Sequence, residues 1–437
     1  MGLIVVLAGL VLRVGARGQV SDSELSSVSE LIAVKREIDR AYVRDVDTGL
    51  LDQASVNGML QIATDRNSRY IPPQRREEFA NDIEGRFVGI GVELDVYDEE
   101  PGLLVLLPIP GSPAEAAGIE PGDRIMAADG EDFTEIDDVD AVTRVQGPAG
   151  STVSLTIERG NDTFDTTVVR AAVNSPVLRG FKRNPDGTPS FWITPPSEIA
   201  DPTNQPKIGY ILAEQFTSDL ASKLREQILQ LRDEGMDGFV LDLRQNPGGR
   251  LDMAEQILDD LLPGGVVVWV EGEHQPKRVV LANPDTKSLP TDMPMVVLVN
   301  GGSASASEVV AGALGDWGRA TILGQQSYGK GSVQQEMTTP GGGVLLLTTA
   351  YYHLPSGRVI HRPQPTDDGG IDPNIVVPVD YRLAESQPSA DAPFGPQQIW
   401  AAYEVLLAQL VEGTGETTVV PQLTPATKPT TQPNTQP

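Results

Sequence analysis

The residues best placed to do chemistry lie in two short segments, 301–312 and 329–334. In the first, Ser305 follows a β-branched apolar run over 295–300 that predicts a buried strand, and it precedes apolar residues at helical spacing. Ser305 and Glu308 also match the first and fourth positions of a capping box. A serine at the start of a helix lies near unpaired backbone N–H groups and the positive end of the helix dipole. This position suits an oxygen that must become anionic, although it also suits a plain N-cap serine.

Lys330 is the second candidate, because it stands between two glycines rather than on a helix face. Small neighbours allow another backbone to approach closely. The residues that follow predict a strand, on which Lys330, Ser332 and Gln334 project to one side. A serine–lysine pair is a recurring way of activating a hydroxyl nucleophile. The lysine must then be largely unprotonated, and the sequence around Lys330 is suitably poor in acidic residues.

The two segments closely resemble those of the carboxyl-terminal processing peptidases, also called tail-specific proteases. The resemblance extends over residues 56–380. It implies that Ser305 is the nucleophile, that Lys330 is the general base and that Gln334 orients the lysine. Their core fold is crotonase-like, so the resemblance implies that fold here.

The segment 238–249 predicts a second buried strand that ends in an Asn-Pro-Gly-Gly turn. By the same resemblance, Gly248 or Gly249 offers a backbone N–H to an oxyanion hole, and Ala306 offers the second. Preorganised donors of this kind commonly contribute about 3 kcal/mol of transition-state stabilisation. Considered alone, the segment also fits a simple turn.

Several other polar residues have structural interpretations. Ser303 and Ser307 are competing nucleophiles, but the family spacing to the lysine selects the serine between them. Asp242 and Arg244, inside the second buried strand, are expected to form a structural pair. The histidines are too few and too separated to predict a metal site, and no cofactor is predicted. They are His274, His353 and His361.

Residues 84–172 change to short strands and turns. The apolar segment 87–94, a Pro-Gly-Asp turn at 121–123 and an amphipathic helix over 136–145 together resemble a PDZ domain. Such a domain binds a peptide by strand addition and captures its terminal carboxylate with backbone N–H groups. The predicted carboxylate-binding loop and first groove strand are Gly89, Ile90, Gly91 and Val92.

From residue 208 onward, a strand–helix–strand order predicts a layered α/β fold. The expected chain is therefore a multidomain α+β protein whose PDZ domain precedes an α/β protease core. The predicted parts are a signal peptide or anchor at 1–20, an amino-terminal helical region at 21–82, the PDZ domain at 83–172, a linker or surface insertion at 173–207, the protease core at 208–385, a carboxyl-terminal helix at 386–412 and a disordered tail at 413–437.

The amino-terminal region carries two further expectations. An apolar run over 2–12 fits an export signal or signal anchor, which would place the enzyme in the periplasm or at the outer face of a membrane; a terminal core helix is the alternative. The segment 64–68, Thr-Asp-Arg-Asn-Ser, stands where the family usually has Leu-Asp-Pro-x-Ser. The resemblance also implies a homodimer through the amino- or carboxyl-terminal helices.

Composition excludes several classes of partner and site. A net charge of −28 over 437 residues argues against nucleic acid and anionic membrane surfaces as partners. Because the chain has no cysteine, it has no disulfide, thiolate metal site or cysteine nucleophile.

These observations predict a serine endopeptidase with a Ser–Lys dyad that cleaves proteins near their carboxyl terminus, with the PDZ domain selecting apolar tails. Two other classes share parts of the pattern. One is a catalytically silent PDZ adaptor, which would not need both Ser305 and Lys330. The other is a crotonase-type acyl-thioester enzyme, which needs neither a PDZ domain nor this pair. A GxSxG elbow, typical of esterases and lipases, is absent.

Overall fold

A computed structural model describes residues 22–94, 100–134, 136, 138–184, 188–195, 205–285, 287–363, 368–378 and 397–414. The predicted signal segment at 1–20 and most of the predicted tail lie outside these ranges. By internal packing the chain divides into two units, one within Met1–Phe79 and Val333–Ala350 and the other within Ala80–Ser332 and Tyr351–Pro437. Among the helices that the model describes, none combines the length and the apolar character needed to cross a bilayer.

The first unit begins with two helices, α1 at Asp22–Ala41 and α2 at Thr48–Ala63. The Asp47 side chain accepts a hydrogen bond from the Gly49 N–H at 2.8 Å and so caps the start of α2. A short strand that was not predicted, β1 at Arg69–Ile71, follows and pairs antiparallel with Val344–Leu346. Buried apolar side chains of both strands join these segments.

The second unit begins with a small β-rich module. Its sheet has the order β3-β4-β5-β7-β8, with β6 beside β5, so β3 is an edge strand. The apolar segment 87–94 forms two strands rather than one, because Gly91 adopts φ +79° between them. The elements are α3 (Arg76–Ile83), β2 (Arg86–Gly89), β3 (Val92–Leu94), β4 (Leu103–Pro108), α4 (Pro113–Ala116), β5 (Arg124–Ala128), β6 (Glu131–Asp132), α5 (Asp138–Val145), β7 (Thr152–Arg159), β8 (Asp162–Val169) and β9 (Ala171–Asn174).

The predicted linker at 173–207 differs from the expectation of a surface insertion. It contains β10 (Leu178–Arg179), β11 (Lys182–Arg183) and β12 (Pro189–Ser190), and β10 pairs antiparallel with the first strand of the core sheet. Phe181 and Ile193 are buried in the same hydrophobic cluster as that sheet. Leu178, Arg179, Phe181 and Ile193 therefore belong to the core. The two-residue strands are too short to leave a period-2 pattern.

The core is a mostly parallel sheet flanked by helices. Its order is β10-β13-β14-β17-β18-β21, and it is parallel from β13 onward. Strands β13, β14 and β17 are buried along their whole length, as expected for a sheet covered on both faces. The elements of the chain from residue 208 onward are β13 (Ile208–Ala213), α6 (Leu220–Asp233), β14 (Gly238–Asp242), α7 (Leu251–Leu261), β15 (Gly265–Gly272), β16 (Gln275–Ala282), β17 (Met295–Val299), α8 (Ala306–Asp316), β18 (Thr321–Gly324), β19 (Ser332–Thr338), β20 (Val344–His353), β21 (Ile375–Val376) and α9 (Gln397–Thr414). Of these, residues Val333–Ala350 of β19 and β20 belong to the first unit.

Helix α9 packs on one face of this sheet. Its Ile399, Tyr403 and Leu406 are fully buried in the cluster that contains Tyr210 and Val240 of the strands. The sequence predicted this helix within 386–412; among the described residues it begins at Gln397 and continues to Thr414. Elsewhere, β15 pairs with β16 and with Tyr351–His353 of β20, while β19 pairs with β20.

Asp242, the last residue of β14, and Arg244 form the expected structural pair. Both side chains are fully buried, and Arg244 donates from Nε and Nη2 to the Asp242 carboxylate at 2.6–3.0 Å. Tyr210 donates its hydroxyl to the same carboxylate at 2.7 Å, and Gln398 of α9 accepts from Arg244 Nη1. The pair thus joins two strands to α9.

We expect Arg244→Met to lower the free energy of unfolding by about 3–5 kcal/mol, because it leaves a buried carboxylate without its charge partner. Urea unfolding measures this change. Arg232→Met is the matched control, because its ion pair with Asp233 is exposed and worth at most about 1 kcal/mol. Equal losses for the two variants would contradict the structural role of the buried pair.

Candidate active site

Ser305 lies where β17 leads into α8, and it is the N-cap residue of that helix. Its backbone adopts φ +57° and ψ −116°, a conformation rarely seen outside glycine that costs about 1–3 kcal/mol. The side chain is largely buried, with 9% of the residue exposed. A strained serine at a strand-to-helix junction is consistent with the sequence interpretation of this residue.

The two competing serines have different surroundings. The Ser303 hydroxyl donates to the Leu243 carbonyl at 2.7 Å and accepts from the Asn300 N–H at 2.9 Å. The Ser307 hydroxyl donates to the Asn246 carbonyl at 2.9 Å. Both serines are fully buried, so their hydroxyls hold the loop together rather than face a substrate.

Glu308 links the serine segment to the lysine segment. Its Oε2 accepts the Ser305 N–H at 2.9 Å and the Lys330 N–H at 2.8 Å. Its Oε1 accepts the Gly329 N–H at 2.6 Å and the Ser327 hydroxyl. One buried carboxylate therefore holds the backbones of both predicted dyad residues, a role that reaches well beyond the capping box seen in the sequence.

These four bonds indicate that Glu308 is ionised. Two carboxylate oxygens have about four acceptor sites, and all four donors are in place. The Ser327 hydroxyl also accepts the Ile371 N–H at 2.6 Å, so its own hydrogen points to Glu308. Burial raises the pKa of Glu308 above its ordinary value, while the hydrogen bonds from Ser327, Gly329, Lys330 and Ser305 oppose that shift.

Lys330 differs from the sequence prediction in two respects. It precedes β19 instead of lying on it, because its N–H donates to Glu308 and not to a neighbouring strand. Its surroundings are also not poor in acid, since folding brings the Glu308 carboxylate to its backbone. The side chain of Arg362 runs beside Gly329 and supplies a cation to the same region. An added Cβ on Gly331 would lie 2.3 Å from the His361 backbone nitrogen, which explains the glycine there.

The glycine turn lies against the serine, as expected. A Cβ added to Gly248 would be 2.8 Å from Ser305 Cβ and 2.9 Å from the Ala306 nitrogen. However, the Gly248 N–H donates to Asn246 Oδ1 at 2.9 Å. Within the described ranges, the N–H groups of Gly249 and Ala306 donate no hydrogen bond.

Asn246 is a residue that sequence reasoning missed. It is fully buried; its Nδ2 donates to the Ala213 carbonyl at 2.8 Å, and its own carbonyl accepts the Ala304 N–H at 3.0 Å. It therefore holds the glycine turn, the end of β13 and the serine segment together. Its position before Pro-Gly-Gly was the available signal, but that motif predicted only a turn.

Gln334 lies on β19, in the first of the two units. Its Nε2 donates to Thr348 Oγ1 on β20 at 3.2 Å. His353 is the last residue of β20, and its ring stacks on Trp269 with centroids 5.5 Å apart. Within the described residues, no group of three or more His, Asp or Glu side chains is arranged to hold a metal ion.

The predicted PDZ loop has two distinct faces. The Ile90 side chain packs in the apolar core of the module, and its carbonyl accepts the Ala114 N–H at 2.8 Å. In the part of the chain described, the N–H groups of Ile90 and Gly91 donate no hydrogen bond. They lie next to β3, which pairs on one side with β4 and has no second partner strand among the described residues.

Comparison with known proteins places the chain in a family. Residues 207–377 match the model of peptidase family S41, and residues 104–159 match a PDZ domain. A carboxy-terminal-processing protease of Bartonella bacilliformis is 35% identical over 364 residues, which cover 82% of this chain and 76% of the relative. The chain belongs to peptidase family S41. A second S41 relative, the carboxyl-terminal-processing protease of a Picosynechococcus, is 34% identical over 74% of this chain and 72% of its own length.

The fold agrees with that of S41 proteins of known structure. A candidate S41 protease from Bacteroides fragilis aligns over 83% of this chain and 90% of its own, with a TM-score of 0.51 and 20% identity. The predicted fold class, a PDZ domain before a layered α/β protease core, is confirmed. As an S41 member with these relatives, the chain is a serine-type peptidase.

Proposed function

We propose that this S41 peptidase cleaves polypeptides with a Ser305–Lys330 dyad. The observation that supports the proposal best is the Glu308 clamp, which accepts the backbone N–H of both residues through one carboxylate oxygen. Of the three serines in the segment, Ser305 alone combines a strained backbone with the N-cap position of α8.

In the proposed reaction, neutral Lys330 accepts the Ser305 hydroxyl proton as Oγ attacks the peptide carbonyl. The tetrahedral intermediate collapses, the leaving amine takes that proton from the lysine, and an acyl-serine forms. Water then attacks the ester and gives a proton to the lysine, the lysine returns that proton to the departing Ser305 Oγ, and the acid product leaves with the serine and the neutral lysine regenerated. The Glu308 carboxylate and the Arg362 side chain bring opposite charges to the Gly329–Lys330 segment.

We assign the oxyanion donors to Ala306 and Gly249. Ala306 presents an N–H at the positive end of α8, where a developing negative charge is favoured. Between the two glycines of the turn, Gly249 is the better donor, because the Gly248 N–H is engaged by Asn246 Oδ1. Gly248 instead gives the close approach to Ser305 that any side chain would block.

We also propose that the PDZ module selects substrates by an apolar carboxyl terminus. The N–H groups of Ile90 and Gly91 suit a terminal carboxylate, and the outer edge of β3, beginning at Val92, suits strand addition. Gly89 closes the strand that precedes this loop.

The test of this selection uses one unfolded protein substrate in two forms, with a free or an amidated carboxyl terminus. We expect amidation to raise KM about tenfold with little change in kcat, because it removes the charge that the loop captures. Mass spectrometry of the products locates the cut relative to the terminus. Identical KM values for the free and the amidated substrate would show that the PDZ module does not select substrates by their terminal carboxylate. If the intact enzyme cleaved neither form, the adaptor alternative would be favoured.

Export and dimerisation complete the proposal. The apolar run at 2–12 supports an export signal or anchor, and exposed apolar side chains on α1 and α2, such as Val34 and Ile62, are compatible with a helical dimer contact. Sequencing the amino terminus of the protein from cell fractions tests export. Sedimentation of the purified chain tests the dimer.

A further inference from the structure

Gln245 is exposed, although its neighbours Arg244 and Asn246 are fully buried. Exposure alternates along the turn that follows, so the exposed residues are Gln245, Pro247 and Gly249. This row ends at Gly249, to which we assign an oxyanion donor. Because four residues of chain span at most about 14 Å, the α-carbons of Gln245 and Gly249 lie within that distance of each other. Gln245 therefore belongs to the rim of the proposed active site.

The backbone of Gln245 is strained. Among the described residues, the non-glycine residues with positive φ are Asp129 at +51°, Gln245 at +57° and Ser305 at +57°. Asp129 lies in the tight turn between β5 and β6, where aspartate adopts this backbone readily, whereas glutamine rarely does. The buried Asn300 holds Gln245 in place, because its Oδ1 accepts the Gln245 N–H at 2.9 Å and the Gly302 N–H at 3.0 Å. Strained backbones that the surrounding structure fixes in this way cluster at active sites and ligand clamps.

The side chain of Gln245 lies on Gly302, in the serine segment. A Cβ added to Gly302 would be 2.1 Å from Gln245 Oε1 and 2.8 Å from Gln245 Cα, so any side chain there would displace both the amide and its backbone. Within the described part of the chain, the Gln245 side-chain amide makes no hydrogen bond. A glutamine amide has two N–H donors and an accepting oxygen. Gln245 therefore brings unused groups of both kinds to the rim of the site.

We propose that the Gln245 side-chain amide binds the main chain of the polypeptide substrate beside the cleaved bond. The inference rests on the proposed peptidase function. Every residue of a main chain except proline presents an N–H and a C=O group, and one amide can donate to and accept from them whatever the side chains are. Because an extended chain advances about 3.3 Å per residue, the bound residue lies within about four positions of the cleaved bond. A purely structural role at this exposed position would be served better by glycine, which adopts the same φ without strain.

The test measures kcat and KM of Gln245→Met and Gln245→Gly on unfolded protein substrates. Methionine keeps the length and the strained backbone but lacks the amide, so we expect KM to rise about tenfold with kcat within about twofold of the wild type. Glycine should raise KM by about the same factor without lowering the melting temperature, because it relieves the strain. Gln230→Met is the matched control, since Gln230 is exposed near the end of α6, which leads into the amino end of β14. Its KM should stay within about twofold of the wild type.

The outcomes separate this inference from the proposed function. If Ser305→Ala is inactive but Gln245→Met keeps the wild-type KM, main-chain binding by the amide is wrong while the dyad mechanism stands. If Ser305→Ala keeps full activity, the proposed function fails, and this inference fails with it. The rise in KM should be equal within about twofold for two substrates whose residues near the cleaved bond differ, because a main chain is common to both. A rise confined to one substrate would assign the amide to a side chain and overturn the proposal. Should Gln245→Met not fold, Gln245→Gly carries the test.

Discussion

Ser305→Ala and Lys330→Ala are each expected to reduce kcat for an unfolded protein substrate by about 10⁴-fold or more. The first variant has no nucleophile, and the second has no base to accept the hydroxyl proton. Because the two side chains act in one step, the double variant should be no slower than either single variant. The measurement is the initial rate of cleavage at saturating substrate, corrected for the folded fraction of each protein.

Ser303→Ala and Ser307→Ala are the matched controls for this pair. Each removes a hydroxyl that hydrogen-bonds backbone, so each should lower the free energy of unfolding by about 1 kcal/mol. Their folded molecules should keep kcat within about tenfold of the wild type, since neither hydroxyl reacts. A 10⁴-fold loss in one of them, with Ser305→Ala active, would move the nucleophile to that serine.

Glu308→Gln is expected to lower kcat by about 10²–10³-fold, the second largest effect. The substitution keeps the shape of the side chain but replaces one accepting oxygen with an NH₂ group. That group must face two of the four donors that the carboxylate now satisfies, so the backbone of Ser305 or of Gly329–Lys330 must move. Stability should fall as well, by about 2–4 kcal/mol, because buried donors lose their acceptor.

A stability loss alone does not prove the positioning role, so the test includes the rate at which a small fluorophosphonate phosphonylates Ser305 with loss of fluoride. This probe needs no bound polypeptide, and its rate reports how well the hydroxyl is activated in folded molecules. We expect labelling of Glu308→Gln to slow in proportion to kcat. Normal labelling with a lowered melting temperature would reduce Glu308 to a purely structural group.

The same carboxylate predicts a pH dependence. Burial raises the pKa of Glu308, so its folded state binds a proton at a higher pH than an exposed glutamate does. Because the pKa of Glu308 is raised in the folded state, ionising it lowers the free energy of unfolding as the pH rises through that pKa. The four hydrogen bonds that hold Ser305 and Lys330, however, need the ionised carboxylate, so they form only above that pKa. On acidification, fluorophosphonate labelling should therefore fall before the protein unfolds. If labelling and the near-ultraviolet circular dichroism signal were lost at the same pH, the predicted order of the two events would be wrong.

Sequence patterns predicted the elements that carry the site well, for a physical reason. The strand before Ser305 is a short β-branched apolar run, the helix after it carries apolar residues at helical spacing, and both form as expected. The Gly-Gly turn beside Ser305 was also anticipated, since only glycine tolerates that backbone and that approach.

Contacts between residues distant in sequence were not predictable in this way. Glu308 matched a local capping box, and nothing local indicates that its two carboxylate oxygens also accept the N–H groups of Gly329 and Lys330. The short strand β1 and the two-residue strand β10 form through pairing with remote partners, which a period cannot reveal in so few residues. The acid near Lys330 was missed for the same reason, because it arrives through folding and not through the neighbouring sequence.

The most direct test of the dyad is to map the adduct of the fluorophosphonate probe by peptide mass spectrometry in the wild type and in Lys330→Ala. The proposed chemistry predicts a single adduct on Ser305 in the wild type, and labelling at least about 10²-fold slower in the variant, because the hydroxyl has lost its base. An adduct on Ser303 or Ser307, or equal labelling of Ser305 in both proteins, would contradict it.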